Sequence, residues 1–324
     1  MATTTVALEI TEESVRAVEM TAGRAPQVVA AAEVPLPPEA AKDSEVLDRD
    51  AVAVALRQLW AAGSISQRRV VLAVGSRRIL VREYTTQAMR PDLLRQALPF
   101  QVQDLLPVPA SQAVLDFYPT SQEGDQITGL LVAAVSETIE DLIETVAKAK
   151  LHVDRVDLVP FGLARVAARV APAGHAAAMI HLGDHTSHIV IAVDGVPRFV
   201  RIIPIDIAQR TDVPTTTAPV ATTRAALRAG ITLAEPVIND LTGTLKTTLS
   251  FAASRPGGTA VRSAWVSGSG WTVPGVADAV TAALALPVEP VTIDKVAALR
   301  ADIDPDLALD AVATAGVLLG EVRR

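Results

Sequence analysis

The chain of 324 residues has no cysteine, which excludes disulfides, thiolate nucleophiles and cysteine-based metal sites. Aromatic residues make up only 3 % of it, too few for the stacked platforms that hold single-stranded nucleic acid. Positive charge is short as well: 29 Lys and Arg stand against 36 Asp and Glu, a formal charge of −7, so a phosphate backbone meets net repulsion. No window approaches the roughly 20 apolar residues needed to span a bilayer. The opening MATTTVALEI lacks the basic-then-apolar order of a secretory signal. These absences lead to the expectation of a soluble cytoplasmic protein that binds no nucleic acid. Apolar residues, by contrast, form 50 % of the chain, and its length suffices for about two domains with cores of their own.

In ALEITEESVRAVEM, residues 7–20, apolar positions alternate through Ile10, an acidic turn covers Thr11 to Ser14, and alternation resumes at Val15. A period of two predicts strand, turn, strand. The order recurs in AAMIHLGDHTSHIVIAVDGVPRFVRIIPI: a strand to Leu182, a turn over Gly183 to Thr186, a strand to Val193, the hairpin turn Asp194-Gly195 and a third strand to Ile203. Two such units predict a duplicated architecture with a cleft between the halves.

Leu47 to Trp60 reads as a helix ending at Gly63, and RRVVLAVG as a buried strand, which together predict an α/β domain. Residues 81–152 read as an inserted module. It has a helix opening at Pro91-Asp92, a hairpin turning at Glu123-Gly124-Asp125, and a helix capped by Ser136 with Ile139, Leu142, Ile143 and Val146 on one stripe. Thr211 to Arg224, rich in Thr, Ala and Pro, reads as a loop. A helix returns from Val237, followed by a strand to Val266, the turn Ser267-Gly268-Ser269-Gly270 and a helix near Pro274. The final segment LALDAVATAGVLLGEV is too short and too poor in basic residues for a membrane anchor and reads as a core helix.

LRQALPFQVQDLLPVPASQAVLDFYP, LLVAAV and VDLVPFGLARV, in that order and spacing, resemble the PilM family of type IV pilus assembly proteins. The resemblance covers nearly the whole chain. It implies an α/β, actin-like ATPase fold: two duplicated domains flanking a cleft, with an inserted subdomain of the kind found in the division protein FtsA. The implied divisions are 1–80 with 153–175, the insertion 81–152, and 176–324 carrying a shortened peripheral subdomain near 205–260.

The resemblance also maps a nucleotide site onto three turns. The first phosphate loop, similar to LDIGSSSVK, falls on Leu8 to Arg16, with Glu9 for the magnesium-linked acid and the sole catalytic candidate if the site is active. Thr11 stands where the family has glycine, and Glu12 and Glu13 add negative charge beside Ser14 where a triphosphate would lie. The second loop, similar to DIGA-x-T, falls on His181 to Thr186, keeping Gly183 and Thr186 but replacing an acid by His181, with Asp184 between them a further candidate contact. Gly268, Ser269 and Gly270 resemble the adenosine motif; an adenine contact and a plain strand-to-helix turn serve that stretch equally. His181, His185 and His188, with Asp184, invite a zinc reading, but the hairpin pattern argues against convergent ligands and no metal site is expected from them.

By resemblance the partner is the cytoplasmic amino-terminal segment of a PilN-like membrane protein, held between the first subdomain and the insertion. Membrane association then comes only through partners, and a homo-oligomer is a further option. The expected function is a pilus scaffold with a degraded nucleotide site. The alternatives are a binding-competent Mg-ATP protein, with ATP and Mg²⁺ as cofactors, and a related secretion-system scaffold.

Overall fold

The computed structural model describes residues 3–207, 235–255 and 257–320, so the loop expected over Thr211 to Arg224 lies outside the described residues. Strands β1 (Thr4–Ile10), β2 (Ser14–Thr21) and β3 (Gln27–Pro35) form an antiparallel meander. A small hairpin, β4 (Ala41–Lys42) and β5 (Glu45–Val46), leads into α1 (Arg49–Ala62). Asp48 starts α1 by accepting from the amides of Asp50 and Ala51, which satisfies two orphan donors of the first turn. Strand β6 (Arg69–Val74) returns parallel to β1.

The segment that follows supplies β7 (Leu80–Gln87), α2 (Pro91–Gln101), β8 (Ala113–Glu123) and β9 (Gln126–Val135), which close a three-stranded sheet in the order β7-β9-β8. Helix α3 (Ser136–Lys148) comes next, but Ser136 does not cap it: the cap is Val135, with no side-chain bond, because Ser136 already lies in the first helical turn. Leu142 and Val146 of α3 are buried with Leu56 and Leu59 of α1. Strand β10 (His152–Leu158) then joins β6 in parallel and leads into α4 (Val159–Val170).

The second half repeats the first. Strands β11 (Ala176–Leu182), β12 (Thr186–Val193) and β13 (Val196–Pro204) form a meander, and α5 (Glu235–Ser254) precedes β14 (Ser263–Ser267), parallel to β11. Helix α6 (Val276–Leu284) connects to β15 (Val288–Pro290), parallel to β14. The two sheets therefore share one strand order, β3-β2-β1-β6-β10 and β13-β12-β11-β14-β15. This is the duplication that the two strand-turn-strand stretches predict. The central strands β1, β2, β11 and β12 are buried on both faces over most of their length, the situation of strands covered by helices on each side.

After β15 come α7 (Ile293–Val296), β16 (Ala298–Leu299) and α8 (Pro305–Gly316). Strand β16 crosses back to pair with β3 of the first sheet. Helices α4 and α8 pack together between the sheets, in one core with Ala7, Val18 and Val71 of the first half and Met179, Val190 and Trp265 of the second. Their crossing needs glycine on both sides. A Cβ on Gly162 would lie 2.6 Å from the Ala313 carbonyl oxygen, and one on Gly316 would lie 2.4 Å from that of Gly162. The inserted sheet reaches the second half as well: Arg198 donates to the Thr120 carbonyl at 3.0 Å, and Arg255 pairs with Glu83 at 3.4 Å. Among the described residues no helix is long and apolar enough to cross a membrane.

Candidate functional site

The turns after β1 and β11 are equivalent points in the two repeats, and the fold brings them face to face. Glu9, Thr11, Glu12, Glu13, Gly183, Asp184 and Thr186 all line one cavity between them, together with Arg16, Asp43, His181, His185 and His188. Its volume is about 40 Å³. That is room for about three waters, against the roughly 300 Å³ or more of an ordinary small-molecule pocket.

Glu9 faces inward and is 4 % exposed. Antiparallel register sets Glu9 of β1 opposite Arg16 of β2, and Arg16 opposite Glu33 of β3, so three charged side chains form one row across the sheet. Arg16, 2 % exposed, has its guanidinium 3.9 Å from the Glu9 carboxylate and 3.3 Å from that of Glu33, and donates to the Asp310 carbonyl at 2.8 Å. Ser14, fully buried, donates its hydroxyl to Glu33 at 2.6 Å and stands outside the cavity wall. On the other side of Glu9, the Thr314 hydroxyl donates to its Oε2.

The first turn is closed by its own atoms. The Thr11 amide donates to the Ser14 carbonyl at 2.9 Å, and the Ser14 amide donates to Thr11 Oγ1 at 3.1 Å. A side chain thus takes an amide that an anion-binding loop would offer to its ligand. Glu12 Oε2 accepts from the Asp43 amide at 3.3 Å, and Asp43 is in turn paired with Arg77 at 2.6 Å.

His185 carries the second turn across to the first. Its Nε2 lies 2.9 Å from Glu13 Oε1 and its Nδ1 3.0 Å from Asp206 Oδ1, so each ring nitrogen faces a carboxylate. The contact with Glu13, together with the charges of Glu13, Asp206 and Glu12, outweighs partial burial and raises its pKa to about 9. The other two histidines behave differently. His181 and His188 are register partners on β11 and β12, both buried. His181 Nδ1 pairs with Ser267 Oγ at 3.0 Å, while His188 Nε2 lies 2.9 Å from the Gly75 carbonyl oxygen. Burial lowers the His188 pKa to about 4, which leaves a neutral ring whose Nε2–H donates to Gly75. Of the three histidines, His185 alone joins a group of side chains able to hold an ion, with Glu12 and Glu13.

The third turn, Gly268 to Gly270, is not part of this wall. Gly268 takes φ +87 and packs against β11, where a Cβ would meet the Leu182 carbonyl oxygen at 2.3 Å. Ser269, fully buried, gives both its amide (2.7 Å) and its hydroxyl (2.8 Å) to Asp310 Oδ1. Asp310 and Thr314 are four residues apart and so share one face of α8. That face supports Arg16, Glu9 and the third turn at once. Sequence reasoning missed both residues; the signal was a pair of polar side chains, four apart, in the otherwise apolar stretch LALDAVATAG.

Comparison with known proteins gives this arrangement its family. The model for "Type IV pilus assembly protein PilM" matches residues 7–314. The chain belongs to the PilM family. Among solved structures it is similar to a "PilM-PilN type IV pilus biogenesis complex", with a TM-score of 0.81, 23 % identity and 97 % of each chain covered. It is also similar to the ethanolamine utilization protein EutJ from Carboxydothermus hydrogenoformans, with a TM-score of 0.55, 12 % identity, and 98 % of this chain and 90 % of that one covered. The cytoplasmic domain of EpsL, an inner membrane component of the type II secretion system of Vibrio cholerae, matches with a TM-score of 0.52 at 10 % identity, over 99 % of this chain and 97 % of that one. The fold of this PilM family member is the actin-like ATPase fold.

Proposed function

We propose that this PilM family member is a docking scaffold of a type IV pilus machine whose nucleotide site no longer takes Mg-ATP. The observation that carries the reading is the set of contacts in the 40 Å³ cavity where the two phosphate turns meet. Glu9 is held by Thr314 and Arg16, the Ser14 amide is held by Thr11, and the Glu12 and Glu13 carboxylates line the space a triphosphate needs. Bringing a polyanion beside two carboxylates costs Coulomb energy that no described residue of this wall is placed to return, because Arg16 already serves Glu9 and Glu33 and His185 is set between Glu13 and Asp206. These residues do not fit the nucleotide, and no hydrolytic step is assigned to them.

The partner in this reading is the cytoplasmic amino-terminal segment of a PilN-like membrane protein, which brings the chain to the inner face of the membrane. The similar solved structure is itself described as a PilM-PilN complex. A groove of about 330 Å³ lies where the insertion meets both halves, lined by Ile79, Leu80 and Val81 on one side and Val200, Arg201 and Ile202 on the other. Both β7 and β13 are edge strands of their sheets among the described residues. An extended peptide adds to such an edge through its backbone and is sorted by apolar pockets beside it.

Thermal melting with and without saturating Mg-ATP tests the nucleotide half. A ligand at a hundred times its Kd stabilises the native state by about 2.7 kcal/mol, so no shift in Tm is expected and a robust ATP-dependent shift overturns the reading. If there is no shift, the triple variant Thr11→Gly, Glu12→Ser, Glu13→Ser is expected to gain one. Fluorescence anisotropy with the PilN-like segment as a labelled peptide tests the docking half: saturable binding that Leu80→Arg and Val200→Arg each weaken supports it, and binding untouched by both moves the site elsewhere.

A further inference from the structure

We infer that Glu12, Glu13 and His185 form a site for a divalent transition-metal ion of the zinc class, bridging the two halves of the molecule. The three side chains come from turns in different halves, and each offers a ligand atom within 4.8 Å of the others. Ligands around one tetrahedral zinc stand roughly 3.3 Å apart, given bonds of about 2.0 Å. Glu13 Oε1 and His185 Nε2 are already at 2.9 Å, so the adjustment falls on the Glu12 side chain.

The support for the histidine is the arrangement that metal-binding histidines share. Asp206 Oδ1 lies 3.0 Å from Nδ1, so a carboxylate stands behind the ring while Nε2 lies 2.9 Å from Glu13 Oε1. An imidazole with two carboxylates selects a zinc-class ion over Mg²⁺ or Ca²⁺, which take all-oxygen sets.

Charge favours the ion: the carboxylates of Glu12, Glu13 and Asp206 gather around His185, and a divalent cation offsets two of their negative charges. The other charged groups around the cavity are Glu9, Asp43, Asp184 and Arg16, an acidic surplus that draws a cation in the same direction. A further observation lies in the same wall: His188 is buried, and its Nδ1 has no hydrogen-bond partner among the described residues. A lone pair of this kind calls for a donor such as an ordered water, and the cavity has room for an ion with its water.

The test is calorimetric titration of the chelator-treated chain with zinc chloride at pH 7, in two buffers of different ionisation enthalpy. Saturable one-to-one binding is expected. His185→Gln and Glu13→Gln should each weaken it at least tenfold, with the exposed His152→Gln as the variant that leaves it unchanged. Cobalt(II) in place of zinc gives an independent reading: visible absorption that saturates in the parent chain and is lost in His185→Gln. Because His185 lies in a half-exposed turn, the metal-free melting curve of each variant establishes that it is folded. Absence of saturable binding overturns the proposal, and so does a His185→Gln chain that binds zinc as the parent does. Neither result bears on ATP binding, which the melting experiment reads separately.

Discussion

The hydroxyl of Thr314, in the last described helix, donates to the carboxylate of Glu9, in the first strand, across 305 residues of sequence. Both groups are buried, so neither can turn to water if the other is removed. Thr314→Val keeps the shape and deletes the donor, and is expected to cost about 1–3 kcal/mol, the penalty of an unsatisfied buried polar group. Thr314→Ser keeps the donor and should cost less. Urea denaturation of the two variants checks this; equal losses would mean that packing, not the hydrogen bond, sets the cost.

Arg16 stands between Glu9 and Glu33 with its charge out of reach of solvent. Arg16→Met leaves carboxylates buried without that cation, and a loss of about 3–5 kcal/mol is expected. Urea denaturation of the parent chain and the variant at pH 7 measures it.

The two shifted histidines set opposite limbs of a stability profile. His185 has a folded pKa of about 9 against 6.5 unfolded, so its contribution is full below pH 6.5 and disappears as pH rises through 9. His188 has a folded pKa of about 4, so the unfolded chain binds the extra proton between pH 4 and 6.5, and stability falls as pH drops through that window. In chelator-containing buffer, Tm should therefore pass through a maximum near pH 6.5 as far as these two groups determine it. His185→Gln should flatten the alkaline limb and leave the acid limb.

Gly162 and Gly316 permit the close crossing of α4 and α8. Gly316→Ala places a methyl group 2.4 Å from a backbone oxygen, and Gly162→Ala places one 2.6 Å from another. Each is expected to cost at least about 1–3 kcal/mol, the range for overpacking a core. The double variant should cost less than the sum, because the first methyl already forces the helices apart. A double-mutant cycle from denaturation midpoints measures this; full additivity would mean the helices yield locally.

Much of the fold was legible because it is local. A period of two, broken by Thr11 to Ser14 in one half and Gly183 to Thr186 in the other, is enough to mark both meanders, and their recurrence marks the duplication. The two cavity turns were legible for the same reason: each is the end of a hairpin. What could not be read is whatever depends on distant chain. Arg16 looks like an ordinary strand residue until register sets it between Glu9 and Glu33. The turn at Gly268 looks like a cleft wall until Asp310 claims Ser269 from 41 residues away. His185 and His188 are three positions apart, yet one faces Glu13 of the opposite half and Asp206 of its own, and the other the Gly75 carbonyl, a difference set by contacts distant in sequence.

The return of β16 to the edge of β3 ties the first half of the molecule to the order in which the chain is made. Until Ala298 and Leu299 emerge, Gln27 and Val28 have no strand on that side. At ribosomal rates of about 5–20 residues per second, the roughly 270 intervening residues take about 15–50 s to appear. Over that interval the nascent first half carries an open sheet edge, a template for pairing with other chains. Ala298 and Leu299 thus act as a late-made latch, and a nascent chain stalled before residue 298 exposes the stretch at Gln27 and Val28 that they cover.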